Sequence, residues 1–117
     1  SFSNSINAFS IYSCISFLIF SGDKFFALKL SGYSMVDALI GDGDTIILEK
    51  TNKALNGEMV AAKINSENET TLKRIFIEGN NTRLQPENPL MDSMYFPSKD
   101  VSILGKVVAV WRYMPNR

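Results

Sequence analysis

A chain of 117 residues has room for one hydrophobic core, not two, and 45% hydrophobic with 21% charged residues is the make-up of a folded domain rather than a disordered or collagenous one. Twelve basic side chains balance twelve acidic ones, so the basic footprint that neutralises nucleic-acid phosphates is missing, and any DNA must be held by another segment. One cysteine, Cys14, and no histidine exclude an intramolecular disulfide, a Cys/His zinc site and any catalytic triad built on an imidazole.

The opening residues, SFSNSIN, are small and polar and read as a loosely held terminus, with the fold expected to begin near Ala8. AFSIYSCISFLIF (Ala8 to Phe20) is the most hydrophobic stretch, but three serines interrupt it and no basic segment precedes it as in a signal peptide. It is also shorter than the roughly 20 apolar residues of a membrane span, so it reads as extended structure. FFALKL (Phe25 to Leu30) follows an SGDK turn as a short strand. SMVDAL (Ser34 to Leu39) is the one segment that fits a helical turn, and GDGD then leads into the strand TIILEK. Asn56-Gly57 is the strongest hairpin signal and precedes EMVAAKI. NSENE marks a second turn, before TTLKRIFIE, and Gly79-Asn80-Asn81 a third, before TRLQP. A loop with Pro86, Pro89 and Pro97 then gives way to VSILGKVVAVWRY, whose β-branched density predicts a final strand. The fold class expected is mainly β, in a single domain with at most a short helical turn after Ser34.

The chemistry turns on Ser34, in SGYSM. Without histidine, a serine nucleophile needs another base, and a neutral lysine is a recognised one. The ordinary lysine pKa of about 10.4 keeps the amine charged near neutrality, so such a base must be desolvated on an apolar face. Lys24 lies in a turn and Lys99 in the proline-rich loop, while Lys29, Lys50, Lys53, Lys63 and Lys106 fall near polar positions or strand ends. Lys73 is different, because a period of two puts it on the same side as Ile75 and Ile77, with Leu72, Arg74 and Phe76 on the other. Taken by themselves, both residues also have plainer readings. Ser34 suits a turn or a helix N-cap, and Lys73 suits a surface lysine whose stem packs along a strand.

Four segments, SGDKFFALKLSGYSMVDALIGDGDTIILEK, NGEMVAAKI, TTLKRIFIEGNNTRLQPENP and ILGKVVAV, together resemble the C-terminal peptidase domain of the LexA repressor family, which includes UmuD and related phage repressors. The resemblance covers Ser21 to about Arg112, which gives a peptidase and dimerisation domain over 21–117 and a poorly matched N-terminal segment over 1–20. It implies a mostly β fold of the kind shared with signal peptidases, and a self-cleaving serine endopeptidase of the SOS response to DNA damage. It also implies stimulation by the RecA filament on single-stranded DNA. Ser34 falls on the family's nucleophile and Lys73 on its general base. Tyr33 stands where many members carry aspartate. The backbone N–H of Ser34 is the expected oxyanion donor, Gly32 allowing the sharp turn that presents it. No cofactor or metal is implied.

The family's substrate is its own Ala-Gly or Cys-Gly bond upstream of the serine. No such pair occurs here, nor does a helix-turn-helix. The chain is therefore expected to be a cleavage product or a trimmed C-terminal domain of a cytoplasmic repressor, touching DNA only through an N-terminal domain outside this sequence. The alternative is a UmuD-like accessory subunit of an error-prone translesion polymerase, and the sequence upstream of Ser1 separates the two. A signal-peptidase relative is disfavoured by the lack of a membrane span. ILGKVVAVWRY is either a core strand or a dimer-forming edge, and the resemblance implies a two-fold homodimer through it. Trp111 is then either a contact anchor or part of the core.

Overall fold

β-branched and aromatic residues in short runs, separated by glycine and asparagine turns, leave this chain little choice but to pair strands. The computed structural model describes residues 14–32 and 35–112, and within them all eight strands join one antiparallel sheet. In chain order they are β1 (Cys14–Ser21), β2 (Phe25–Ser31), β3 (Thr45–Lys50), β4 (Met59–Ile64), β5 (Glu69–Glu78), β6 (Asn81–Gln85), β7 (Met94–Pro97) and β8 (Val101–Trp111). The mainly-β expectation holds. Within the helical turn expected over Ser34 to Leu39, Val36–Ala38 forms a 3-10 turn, and Ser98–Asp100 forms another that the sequence does not signal. Of the apolar stretch Ala8 to Phe20, residues 14–20 belong to β1 and the remainder lies outside the described residues.

The sheet order is β1-β2-β3-β8-β4-β5-β6-β7, with a further pairing of β1 to β5 at Cys14 and Thr71. That contact closes six strands into a ring and leaves the β6–β7 hairpin as an extension. Strands β4 and β5 consequently bury both faces. One face carries Ala61 and Leu72 into a core with Phe26, Leu28, Leu30, Met35, Ile40, Ile46 and Leu48. The other carries Val60, Ala62, Ile64 and Ile75 into a second core with Leu84. Gly105 of β8 lies directly under Phe26, where an added Cβ would stand 2.6 Å from the ring and 2.8 Å from the Glu49 carbonyl oxygen. Only glycine lets β8 pass there.

Two of the turn expectations are met as simple hairpins. Asn65–Asn68 joins β4 to β5, with Asn68 at φ 50°, and Gly79-Asn80 joins β5 to β6, with Gly79 at φ 66°. Asn56-Gly57 is a correction. It makes a tight turn, with Gly57 at φ 93°, but β3 and β4 do not pair with each other. β8 inserts between them. The turn docks on β5 instead, the Gly57 N–H donating to the Ile75 carbonyl at 2.8 Å and the Ile77 N–H to Asn56 Oδ1 at 2.8 Å. A second correction is β7, read from sequence as part of a proline-rich loop. Its edge position tolerates Pro97, which has no N–H to give to a further strand.

β8 is both an interior strand and an edge. Val101 to Lys106 pairs with β4, whereas Gly105 to Trp111 pairs with β3. Past Lys106, β3 is its only paired neighbour among the described residues. Trp111 is 65% exposed, so it is not a core residue.

Candidate active site

Ser34 and Tyr33 lie outside the described residues, but the turn on either side of them is fixed in detail. Gly32 follows β2 at φ 104°, a backbone conformation that suits glycine, and its N–H donates to Asp42 Oδ1 at 2.9 Å. Met35 is fully buried in the first core, and its carbonyl accepts the Ala38 N–H at 3.0 Å and the Ile40 N–H at 3.3 Å. Gly32 before the Tyr33-Ser34 pair is thus hydrogen-bonded, and Met35 after it is buried. Leu39 then takes φ 63° with its side chain exposed, which returns the chain toward GDGD.

A second set of contacts clamps the far side of this turn. Asp44 is 2% exposed and accepts hydrogen bonds from Arg112 Nε at 2.7 Å, Arg112 Nη2 at 2.7 Å and the Gly41 N–H at 2.8 Å. Arg112 also reaches the Leu39 carbonyl at 2.9 Å. The hydrogen bonds from Arg112 hold the Asp44 carboxyl below the ordinary carboxylate range, against the opposing effect of burial and with help from the Gly41 N–H. A folded-state pKa below the unfolded one gives a stabilisation that is complete above the unfolded value of about 3.9 and is lost as pH falls through the lowered value. Asp44→Asn is expected to cost about 1–2 kcal/mol near pH 7, a figure reduced by the solvent around the guanidinium. Urea denaturation of both proteins near neutral pH and again at about pH 2 checks this. The difference should close in acid, and a difference that persists there would mean that the ion pair is not its source.

Lys73 is at 0% exposure, and among the described residues no other lysine is buried. β5 explains why. Cross-strand register places Lys73 opposite Val60, and Thr71 and Ile75 share its face, so the amine enters the sheet's second apolar side. Ile75 is 1% exposed, as a desolvated lysine requires, while Ile77 at 40% has already run out into solvent. Lys73 Nζ donates to Thr71 Oγ1, a partner at the same-face spacing of two residues. Glu69 lies on that face as well. Burial pushes its carboxyl up, the neighbouring Glu67 charge acts in the same direction, and Lys73 opposes both.

Further groups join these two parts. Arg74, next after Lys73, forms an ion pair with Glu87, and the Glu87 carbonyl accepts the Asp37 N–H at 2.7 Å. Thr71 could have been found from its period-two relation to Lys73. Glu87 could not, because its place depends on how the chain leaves β6. A groove of about 680 Å³ opens elsewhere, lined by Phe26, Leu28, Thr51, Thr70 and Ile103, and none of its lining residues belongs to the turn around Ser34 or is Lys73. Among the described residues no three Cys, Asp or Glu side chains gather as metal ligands, and no helix is long and apolar enough to cross a membrane.

Residues 6–108 match the family model described as Peptidase S24-like. Curated relatives include LexA repressors of Herpetosiphon aurantiacus, Clostridium novyi and Roseiflexus sp., which are 58%, 52% and 47% identical to this chain over 87, 92 and 89 residues. Those alignments cover 74%, 79% and 76% of this chain but 41%, 44% and 41% of the relatives. The chain thus spans less than half the length of the curated relatives it matches.

Proposed function

The chain belongs to the Peptidase S24-like family, and on that footing we propose that it is the autopeptidase and dimerisation domain of a LexA-type repressor, with Ser34 as nucleophile and Lys73 as general base. The observation that carries this reading is the complete burial of Lys73 in a chain that has no histidine. Burial in an apolar face favours the neutral amine, which is the form able to accept a proton. Neutral Lys73 takes the Ser34 proton as the hydroxyl attacks a peptide carbonyl. The ammonium so formed then protonates the leaving amine, and water later releases the acyl group from the serine. The tetrahedral oxyanion is assigned to the backbone N–H of Ser34. The natural substrate is an Ala-Gly or Cys-Gly bond, and the filament of RecA on single-stranded DNA stimulates its cleavage in a cytoplasmic SOS response. DNA is bound by a separate N-terminal domain. Cleavage of an Ala-Gly peptide supplied in trans, followed with and without RecA filaments and against Ser34→Ala, tests the reading. Cleavage that does not need Ser34 would overturn it.

Dimerisation is assigned to the second half of β8. Val107 to Trp111 has one side unpaired among the described residues, and Val108, Val110 and Trp111 are 47%, 40% and 65% exposed. An edge of this kind, with an aromatic residue at its end, suits a two-fold contact. Sedimentation at micromolar concentration is expected to give a two-chain species, and Val108→Glu with Trp111→Glu should weaken it by about tenfold or more. An unchanged association constant in that variant would move the interface elsewhere.

A further inference from the structure

β6 pairs with β5 as far as Gln85, which stands opposite Arg74. Pro86 follows, buried and without an N–H to continue the ladder, so the chain leaves the sheet there and Glu87 crosses toward the turn after Ser34. Glu87 then binds at both ends. Its carboxylate meets Arg74 Nε, and its carbonyl accepts the Asp37 N–H at 2.7 Å. Arg74 is itself held, donating from Nη1 to the Gly57 carbonyl at 2.8 Å. Arg74 is the residue after Lys73, and Asp37 is three residues after Ser34.

We propose that Arg74 and Glu87 are positioning residues, a brace that sets the distance between the strand bearing Lys73 and the turn bearing Ser34. The inference rests on the Ser34/Lys73 reading given above. Among the described residues the two side chains bond to each other and to the Gly57 carbonyl, not to Lys73. Their side chains are 30% and 28% exposed, and solvent at both partners screens the pair, so its contribution to stability is small. Its effect on rate is of a different order, because a displacement of about 1 Å in a reacting pair can cost about a hundredfold. A large effect on turnover with a small one on stability is therefore the signature of the brace.

The test uses the full chain and an Ala-Gly peptide, comparing Glu87→Gln, Arg74→Lys and the double variant with the parent protein and with Ser34→Ala. Each single variant is expected to lower kcat by about tenfold or more, with KM and the thermal midpoint close to those of the parent. Because both act through one contact, the double variant should be no worse than the poorer single one. Amide hydrogen exchange gives a readout independent of activity, and residues 35–38 should exchange faster in Glu87→Gln while β5 keeps its protection. Cleavage that needs Ser34 but is indifferent to Glu87 would overturn the brace alone. So would additive losses in the double variant, unchanged exchange at 35–38, or a loss of rate matched by a loss of folded protein. Cleavage that survives Ser34→Ala would instead overturn the catalytic reading on which the brace rests.

Discussion

Ser34→Ala and Lys73→Ala are each expected to reduce cleavage of an Ala-Gly peptide by about a thousandfold or more, since a nucleophile and its base act as a unit and removing either one removes both. The parent rate should rise with pH as Lys73 loses its proton, then level off. The direction follows from where the amine sits. At 0% exposure on a face shared with Ile75 and opposite Val60 the amine is out of water, and burial of that kind disfavours the charged form. Lys24, Lys50, Lys53 and Lys99 are exposed, and Lys29, Lys63 and Lys106 are partly exposed, so none of them is buried as Lys73 is. Initial rates across neutral to alkaline pH, with product masses confirming the Ala-Gly cut, check the expectation. A Lys73→Ala protein that still cleaves with the parent's pH profile would sink the dyad.

Much of this architecture is legible in the sequence, and the parts that are not share a physical cause. The period of two in TTLKRIFIE puts Lys73 and Ile75 on one face, and the sheet buries both. The turns at NSENE and at Gly79-Asn80 are local, so their residues suffice to place them. Asn56-Gly57 has equally good turn chemistry, yet nothing local reveals that β8, some fifty residues further on, will separate the strands on either side of it. The same non-local placement hides the dual role of β8, whose β-branched run fits an interior strand and an edge strand equally well. β7 escaped because proline argues against a strand in general but not at a sheet edge. At the candidate site, composition leaves a lysine as the alternative to an imidazole base and alternation sets Lys73 apart, while its role as base is what the family resemblance implies. Arg74 was visible only as a residue on the opposite face, since its partner Glu87 arrives from a loop whose course Pro86 sets. Asp44 read as part of a turn motif, and its burial beneath Arg112 depends on a contact across 68 residues.

A lysine held in the core should weigh against the fold, and on the proposed reading Lys73→Met is expected to make the protein inactive and more stable. Methionine has nearly the same length, packs into apolar surroundings and has no charge to lose. The gain near neutral pH should be about 2 kcal/mol, the scale on which buried charged groups give way to apolar ones of similar volume, or about 8 °C in Tm for a chain of this size. Loss of the bond to Thr71 Oγ1 works against it, by about 1 kcal/mol or less for a hydroxyl that can turn to another partner, and is included in that figure. The pH dependence separates this account from general repacking. On the proposed reading the folded pKa of Lys73 lies below the unfolded value of about 10.4, the unfolded chain holds more protons, and parent stability rises with pH between the two values. The methionine variant lacks that contribution, and its advantage should shrink as pH approaches 10. Denaturant melts of both proteins at neutral pH and at about pH 9.5 measure the difference. An advantage that is constant across that range would mean that Lys73 carries no desolvation penalty, and the case for it as a neutral base would fall with that result.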